Sequence, residues 1–200
     1  MKPSGDAHFW EARWQNGQTG WDVGQPSPPL ITYLEQIPVQ QRAGLRILVP
    51  GCGNGHEALW MARNHFGRIT MLDIAPTATE AMRTRVAKAG FEQAVSVVCG
   101  DFFTHEGPYD LILEQTFFCA ITPDLRTGYV EQMSRLLAPG GKLIGVLFDR
   151  DFEGGPPFGG CAAEYETLFA PKFHILTLEK CTNSIAPRAG SEVFIKMALK

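Results

Sequence analysis

Arg46-Ile47-Leu48-Val49-Pro50 runs without a break into Gly51-Cys52-Gly53-Asn54-Gly55 and then into His56-Glu57-Ala58-Leu59-Trp60-Met61-Ala62-Arg63. A short β-branched run, a glycine loop and a set of helix formers predict strand, tight turn and helix, the opening unit of a doubly wound α/β sheet. Glycines at i, i+2 and i+4 let backbone approach a ligand closely, and the helix that follows offers free N–H groups and a positive dipole end to a carboxylate. The nicotinamide fingerprint has its third glycine three residues after the second, whereas Gly55 comes two after Gly53. That spacing counts against a nicotinamide-binding oxidoreductase, which stays the alternative enzyme class.

The same alternation continues along the chain. Ile69-Thr70-Met71-Leu72-Asp73-Ile74 reads as a second strand ending in an acid, and Thr77 and Glu80 have capping-box spacing ahead of Ala78, Met82, Val86 and Ala89. Val95 to Cys99 is a third strand, closed by Gly100-Asp101-Phe102-Phe103, and Tyr109 to Glu114 a fourth, leading into Thr116-Phe117-Phe118-Cys119-Ala120-Ile121. Thr122-Pro123-Asp124 offers a cap, a first-turn proline and a first-turn acid for a helix carrying Leu125, Tyr129, Met133 and Leu136, which Pro139-Gly140-Gly141 ends. Lys142 to Phe148 is a fifth strand, Glu164 to Phe169 a helix, and His174 to Leu178 and Val193 to Ala198 the last two strands. With no helix between them, that final pair predicts an antiparallel edge on a mostly parallel, Rossmann-like sheet of seven strands.

Length and composition bound the rest. Two hundred residues, 44% hydrophobic and 20% charged, suffice for one core and leave no room for a second full domain, so residues 1–200 read as a single domain. Eighteen Lys plus Arg against 21 Asp plus Glu give a net charge of −3, which supplies no positive field for a nucleic acid. No apolar run reaches the length of a membrane span, and Met1-Lys2-Pro3-Ser4-Gly5-Asp6 lacks the apolar stretch of a signal peptide, so the expected location is the cytoplasm. The five cysteines and five histidines are scattered, with no metal-finger spacing; neither a metal site nor a catalytic triad is expected. The acidic balance and the lack of a coiled-coil pattern permit a monomer.

Candidate binding residues follow from strand ends. Asp73 lies eighteen residues beyond Gly55, where a carboxylate can accept both hydrogen bonds from a ribose diol. Asp101 ends the third strand in the same crevice and can accept from an adenine amino group while Phe102 covers the ring. Before the sheet, Gly24-Gln25-Pro26-Ser27-Pro28-Pro29 cannot be regular helix, but Trp10 and Trp14, four apart on a short helix from about Asp6, share one face. They either plug the end of a core or cover a ligand.

Pro50 to Gly55, Asp73, Gly100-Asp101-Phe102 and Leu137-Ala138-Pro139-Gly140-Gly141, in this order, resemble the class I S-adenosylmethionine-dependent methyltransferases. More narrowly, Trp10-x-x-x-Trp14 with Trp21-Asp22, Thr116 to Ile121, and Gly154-Gly155-Pro156-Pro157-Phe158 resemble the thiopurine S-methyltransferase family, above all its plant-type thiol and halide methyltransferases and their bacterial relatives. The resemblance runs from about Phe9 to the C-terminus. It implies S-adenosylmethionine as cofactor, S-adenosylhomocysteine as product, and binding through Trp10, Trp14, Trp21, Gly51, Gly53, Asp73, Asp101 and Phe102, with residues 1–30 folding over the cofactor as a lid. Gln115, standing where plant-type members carry an aromatic residue, joins that cofactor set. Arg126 matches an arginine near the substrate.

A sulfonium methyl is already activated, so displacement by a thiolate or halide needs placement and removal of water more than an acid or base; no catalytic side chain is expected. Tryptophan faces around a sulfonium add cation–π attraction. The expected acceptor is a small soft nucleophile in a pocket walled by Trp21, Phe117, Phe118 and Phe158, with charge from Arg126, Arg150 or Arg188. The rivals are oxygen, nitrogen or tellurium acceptors on the same fold, and a catalytically silent cofactor-binding module.

Overall fold

A computed structural model describes residues 7–200; the readings placed on Met1 to Asp6, including the start of the first helix, lie outside the described residues. Seven strands form one sheet: β1 (Arg46–Pro50), β2 (Arg68–Asp73), β3 (Val95–Cys99), β4 (Tyr109–Gln115), β5 (Leu137–Phe148), β6 (Phe173–Lys180) and β7 (Glu192–Leu199). Their spatial order is β3-β2-β1-β4-β5-β7-β6. The first five are parallel, and β7 inserts antiparallel between β5 and β6. The sheet is therefore the α/β class I methyltransferase fold with an antiparallel C-terminal edge.

Helices cover both faces: α1 (Ala7–Gln15), α2 (Pro28–Glu35), α3 (Val39–Arg42), α4 (His56–Arg63), α5 (Pro76–Ala89), α6 (Arg126–Leu136) and α7 (Ala162–Phe169). One core layer joins Leu30, Leu34, Met61 and Met82 to the strands, the other Tyr129, Met133, Tyr165 and Phe169. Strand order reverses between β1 and β4, and in open α/β sheets the crevice outside the carboxyl ends at that point is where ligands bind. Gly55 shows why the first turn is glycine-rich: it sits at φ +59°, and a Cβ there would strike the buried Met71 and Met82 side chains.

Several local readings give way to tertiary contacts. The Thr77–Glu80 capping box does not form: Ala75 is the residue before α5, and Thr77 donates from its N–H (3.0 Å) and hydroxyl (2.6 Å) to Glu11 of α1. Glu80 pairs with Arg83 instead. Pro123–Leu125 forms a 3-10 turn ahead of α6, and the Thr122 hydroxyl caps nothing. Leu137 to Gly141 belongs to β5, because Leu137 pairs with Tyr109 and a register shift absorbs the glycines. Pro28 and Pro29, read as loop, occupy the first turn of α2, the one place in a helix where a missing N–H costs nothing.

Candidate functional site

The carboxyl ends of β1, β2, β3 and β4 open on a cavity of about 590 Å³. Gly51 and Gly53 form its floor after β1. Gly51 sits at φ +57°, and a Cβ there would lie 2.5 Å from the Phe117 ring, so only glycine lets the loop pass this aromatic. Asp73 ends β2 with both oxygens held by backbone: the Gly53 N–H donates to Oδ2 and the Ala75 N–H to Oδ1, each at 3.0 Å. Burial pushes its carboxyl above the usual range, against the pull of these N–H groups. Each oxygen keeps a lone pair for a ligand diol. Asp101 ends β3 with Oδ1 accepting from the Phe103 N–H at 2.9 Å. The Phe102 backbone beside it is fixed by the Gln132 side-chain amide of α6, which donates to its carbonyl at 2.9 Å.

Tryptophans close the cavity from the N-terminal side. Trp10 and Trp14 both meet Trp21 edge to face, with centroids 5.6 Å and 6.0 Å away. A Cβ on Gly53 would touch Trp14 and Trp21 at 3.6 and 3.9 Å, so the rings lie directly over the loop. All three line the cavity rather than plug a core.

The exit of β4 is built on a buried acid that sequence reading passed over. Glu114 Oε1 accepts from the N–H groups of Phe117 (2.8 Å) and Phe118 (2.9 Å), and Oε2 from the Tyr129 hydroxyl (2.6 Å). Burial lifts this carboxyl from its ordinary 4.5 to about 7, against those three donors. The cage bends the chain so sharply that Thr116 adopts φ +58°, a strained conformation for a branched residue. Phe117 and Cys119 are thereby turned into the cavity wall. Cys119 is buried, donates from Sγ to the Thr116 carbonyl at 3.3 Å, and burial together with the Glu114 charge pushes its thiol up to about 12.

Trp10, Trp14, Trp21, Gly51, Gly53, Asp73, Asp101, Phe102 and Phe117 are thus brought together, but four expected site residues are not. Arg126 is buried away from the cavity: it donates to Glu164 and to the Gly159 carbonyl, each at 2.6 Å, and its guanidinium lies 4.6 Å from the centre of the Phe118 ring. Phe118 is accordingly a core residue, 1% exposed. Phe158 donates its N–H to the Cys119 carbonyl, while its neighbours Pro156 and Pro157 reach the cavity. Gln115 does not line the main cavity but an adjoining space of about 60 Å³, which shares Trp21, Gly51, Gly53, Thr116 and Arg188 with it. Gln115 is the last residue of β4, where alternation carries consecutive residues to opposite sides; Phe118, in a 3-10 turn, and Arg126, on α6, face the core layer instead. For Arg126→Ala we expect a loss of about 1.5–3 kcal/mol in urea unfolding with acceptor KM unchanged, because a buried guanidinium's hydrogen bonds to the exposed Glu164 and to the Gly159 carbonyl go and no ligand contact does. A raised KM at unchanged stability would restore Arg126 to the site.

Arg150 and Arg188, both candidates from the sequence, do reach the cavity; Phe148, Phe152 and Ser191 line it as well, and no motif in the sequence marks those three. The Arg188 guanidinium donates to the Trp21 carbonyl (3.1 Å) and to the buried Glu192 (3.4 Å). Arg150 lies 4.7 Å over the Phe152 ring. Among the described residues no group of three His, Cys, Asp or Glu is arranged to hold a metal, and no helix is long and apolar enough to cross a membrane.

The fold recurs in solved methyltransferases, among them a TehB-like S-adenosylmethionine-dependent enzyme of Corynebacterium glutamicum (TM-score 0.66, 16% identity, 97% of this chain and 98% of that one). The magnesium protoporphyrin IX methyltransferase of Synechocystis, solved with S-adenosylmethionine bound, superposes at TM-score 0.70 with 11% identity over 97% of each chain. Among curated proteins, the chain is 35% identical over 187 residues to "Probable thiol methyltransferase 2" of Arabidopsis thaliana, covering 92% of this chain and 81% of that one. It is 34% identical over 188 residues to thiocyanate methyltransferase 1 of Brassica oleracea, with the same coverage. To the thiopurine S-methyltransferase of Photobacterium profundum it is 29% identical, covering 82% of each. The thiopurine S-methyltransferase family model matches residues 5–196, and with that span the chain belongs to this family of methyltransferases.

Proposed function

We propose that the protein transfers the methyl group of S-adenosylmethionine to a small soft nucleophile, a thiolate first, with thiocyanate and halide as further acceptors. The observation that carries this reading is the polarity of the cavity. Its lining carboxylates, Asp73 at the end of β2 and Asp101 after β3, stand on one side; of its guanidiniums, Arg13 comes from α1 beside the tryptophans, while Arg150 after β5 and Arg188 before β7 flank the other side. A nucleoside suits the first side, and a soft anion suits the second, whose walls are Phe148, Phe152, Pro156 and Pro157.

The cofactor, when bound, supplies an activated methyl on a sulfonium. The chain's own residues then do the placing. Asp73 accepts from the ribose hydroxyls and Asp101 from the adenine amino group, and Trp10, Trp14 and Trp21 turn π-electron density toward the sulfonium and exclude water. Phe117, braced by the Glu114 cage, fixes the boundary between the two sides. Arg150 draws the anion in, and alignment with the methyl carbon does the work that an acid or base does elsewhere. Residues up to about 30 act as the lid, and the five unpaired cysteines suit a reducing compartment such as the cytoplasm.

Purified protein incubated with methyl-labelled S-adenosylmethionine and hydrosulfide, thiocyanate, iodide, an aromatic thiol or a thiopurine should give methylated sulfur products by mass spectrometry. Arg150→Ala should raise KM for the anionic acceptors about 10-fold while leaving the dissociation constant of S-adenosylhomocysteine unchanged. No transfer to any acceptor, with S-adenosylhomocysteine still bound, would overturn the acceptor class; tight NAD binding without it would overturn the cofactor.

A further inference from the structure

The segment that carries the tryptophans has almost no core of its own. No residue of α1 is buried, and Trp21 is only half-buried. What holds this segment down is polar. Glu11 accepts from Thr77 at the start of α5, and the Trp21 carbonyl accepts from Arg188. The third tie is Asp22. Its Oδ2 accepts from the Asn54 side-chain amide, and its Oδ1 meets His56 Nε2 at 2.8 Å and accepts from the Gly24 N–H at 2.8 Å. Asn54 belongs to the glycine loop, and its carbonyl accepts from Arg85 at 3.1 Å; His56 is the first residue of α4. Burial works against the Asp22 carboxylate, but the Gly24 N–H, His56 and Asn54 outweigh it and hold the carboxyl below its ordinary range.

One carboxylate therefore joins the roof, through the adjacent Trp21, to the loop that forms the floor. A segment fastened by a few hydrogen bonds and by partly buried rings packed on one another, with no fully buried side chain in α1, opens locally without unfolding the sheet. We propose that Asp22 is a positioning residue for the transfer reaction: its contacts with Asn54 and His56 hold Trp21 over the glycine loop while cofactor is bound, and their release opens the roof for product to leave. The inference rests on the reading of the cavity as an S-adenosylmethionine site. Asp22 touches neither reacting atom, and its effect passes through Trp21 and Asn54.

The test uses the intrinsic fluorescence of the full chain, three of whose four tryptophans, Trp10, Trp14 and Trp21, line the cavity. Asp22→Ala should raise the dissociation constant of S-adenosylhomocysteine about 10-fold, mostly through a faster off-rate in stopped flow. KM for S-adenosylmethionine should rise similarly while kcat does not fall, and the urea midpoint of the ligand-free protein should stay at the wild-type value. His56→Ala should act in the same direction, and the double variant should weaken binding no more than Asp22→Ala alone. Should Asp22→Ala not fold, the off-rate of His56→Ala decides. An unchanged off-rate, additive effects, or a urea midpoint that falls together with affinity would each overturn the latch. Wild-type protein that fails to bind S-adenosylhomocysteine would overturn the cofactor reading and the latch with it.

Discussion

Glu114→Ala is expected to remove about 3–5 kcal/mol of folding stability, the largest loss anticipated for any single substitution considered. The carboxylate is 0% exposed and is the shared acceptor of three buried donors, the Phe117 and Phe118 N–H groups and the Tyr129 hydroxyl. Alanine leaves all three without a partner and removes the brace that keeps Thr116 at positive φ. Urea unfolding measures the loss, and a change below about 1 kcal/mol would mean that water enters to replace the carboxylate. The same residue gives a pH signature. Its folded-state pKa, raised to about 7 from 4.5, makes the folded protein hold a proton that the unfolded chain releases. Its contribution is fully present below pH 4.5, declines as pH rises from there, and is lost above 7, with a slope of at most about 1.4 kcal/mol per pH unit. Glu114→Gln should remove that slope, which unfolding midpoints at pH 5 and pH 7.5 will read.

Asp73→Ala should weaken S-adenosylhomocysteine binding by about 1–3 kcal/mol, or about 5- to 150-fold in the dissociation constant. Two effects add. The ribose loses a charged acceptor, and the Gly53 and Ala75 N–H groups lose the oxygens that hold the glycine loop in shape. Titration calorimetry gives the constant directly. An unchanged value would remove Asp73 from the site.

Much of the proposed cofactor side is written in local sequence because it depends on local physics. Gly51 and Gly53 must pass close to other groups, Asp73 and Asp101 fall at strand ends, and Trp10 and Trp14 share a helix face. Each is legible from spacing. The proposed acceptor side is less so: Arg150 and Arg188 are nameable only as two of three candidate cations and Phe148, Phe152 and Ser191 not at all, because they come from the end of β5 and the segments after it and before β7, where no motif marks them. Arg126 illustrates the limit from the other direction: its position in a motif said that it mattered, and only the Glu164 and Gly159 contacts say for what. The capping box at Thr77 fails similarly, since Glu11, sixty-six residues away, takes the Thr77 N–H that Glu80 would accept and engages the hydroxyl as well.

On the proposed reading, a protein that methylates soft nucleophiles carries a sulfur of its own beside the site. Cys119 stands in the cavity wall, and its burial and the nearby Glu114 charge push its thiol up to about 12. At neutral pH about one molecule in 10⁵ then holds it as the reactive thiolate. Burial thus keeps the resident thiol protonated, while Arg150 and Arg188 favour an acceptor that arrives already ionised, so the protein's own sulfur does not compete for the methyl group.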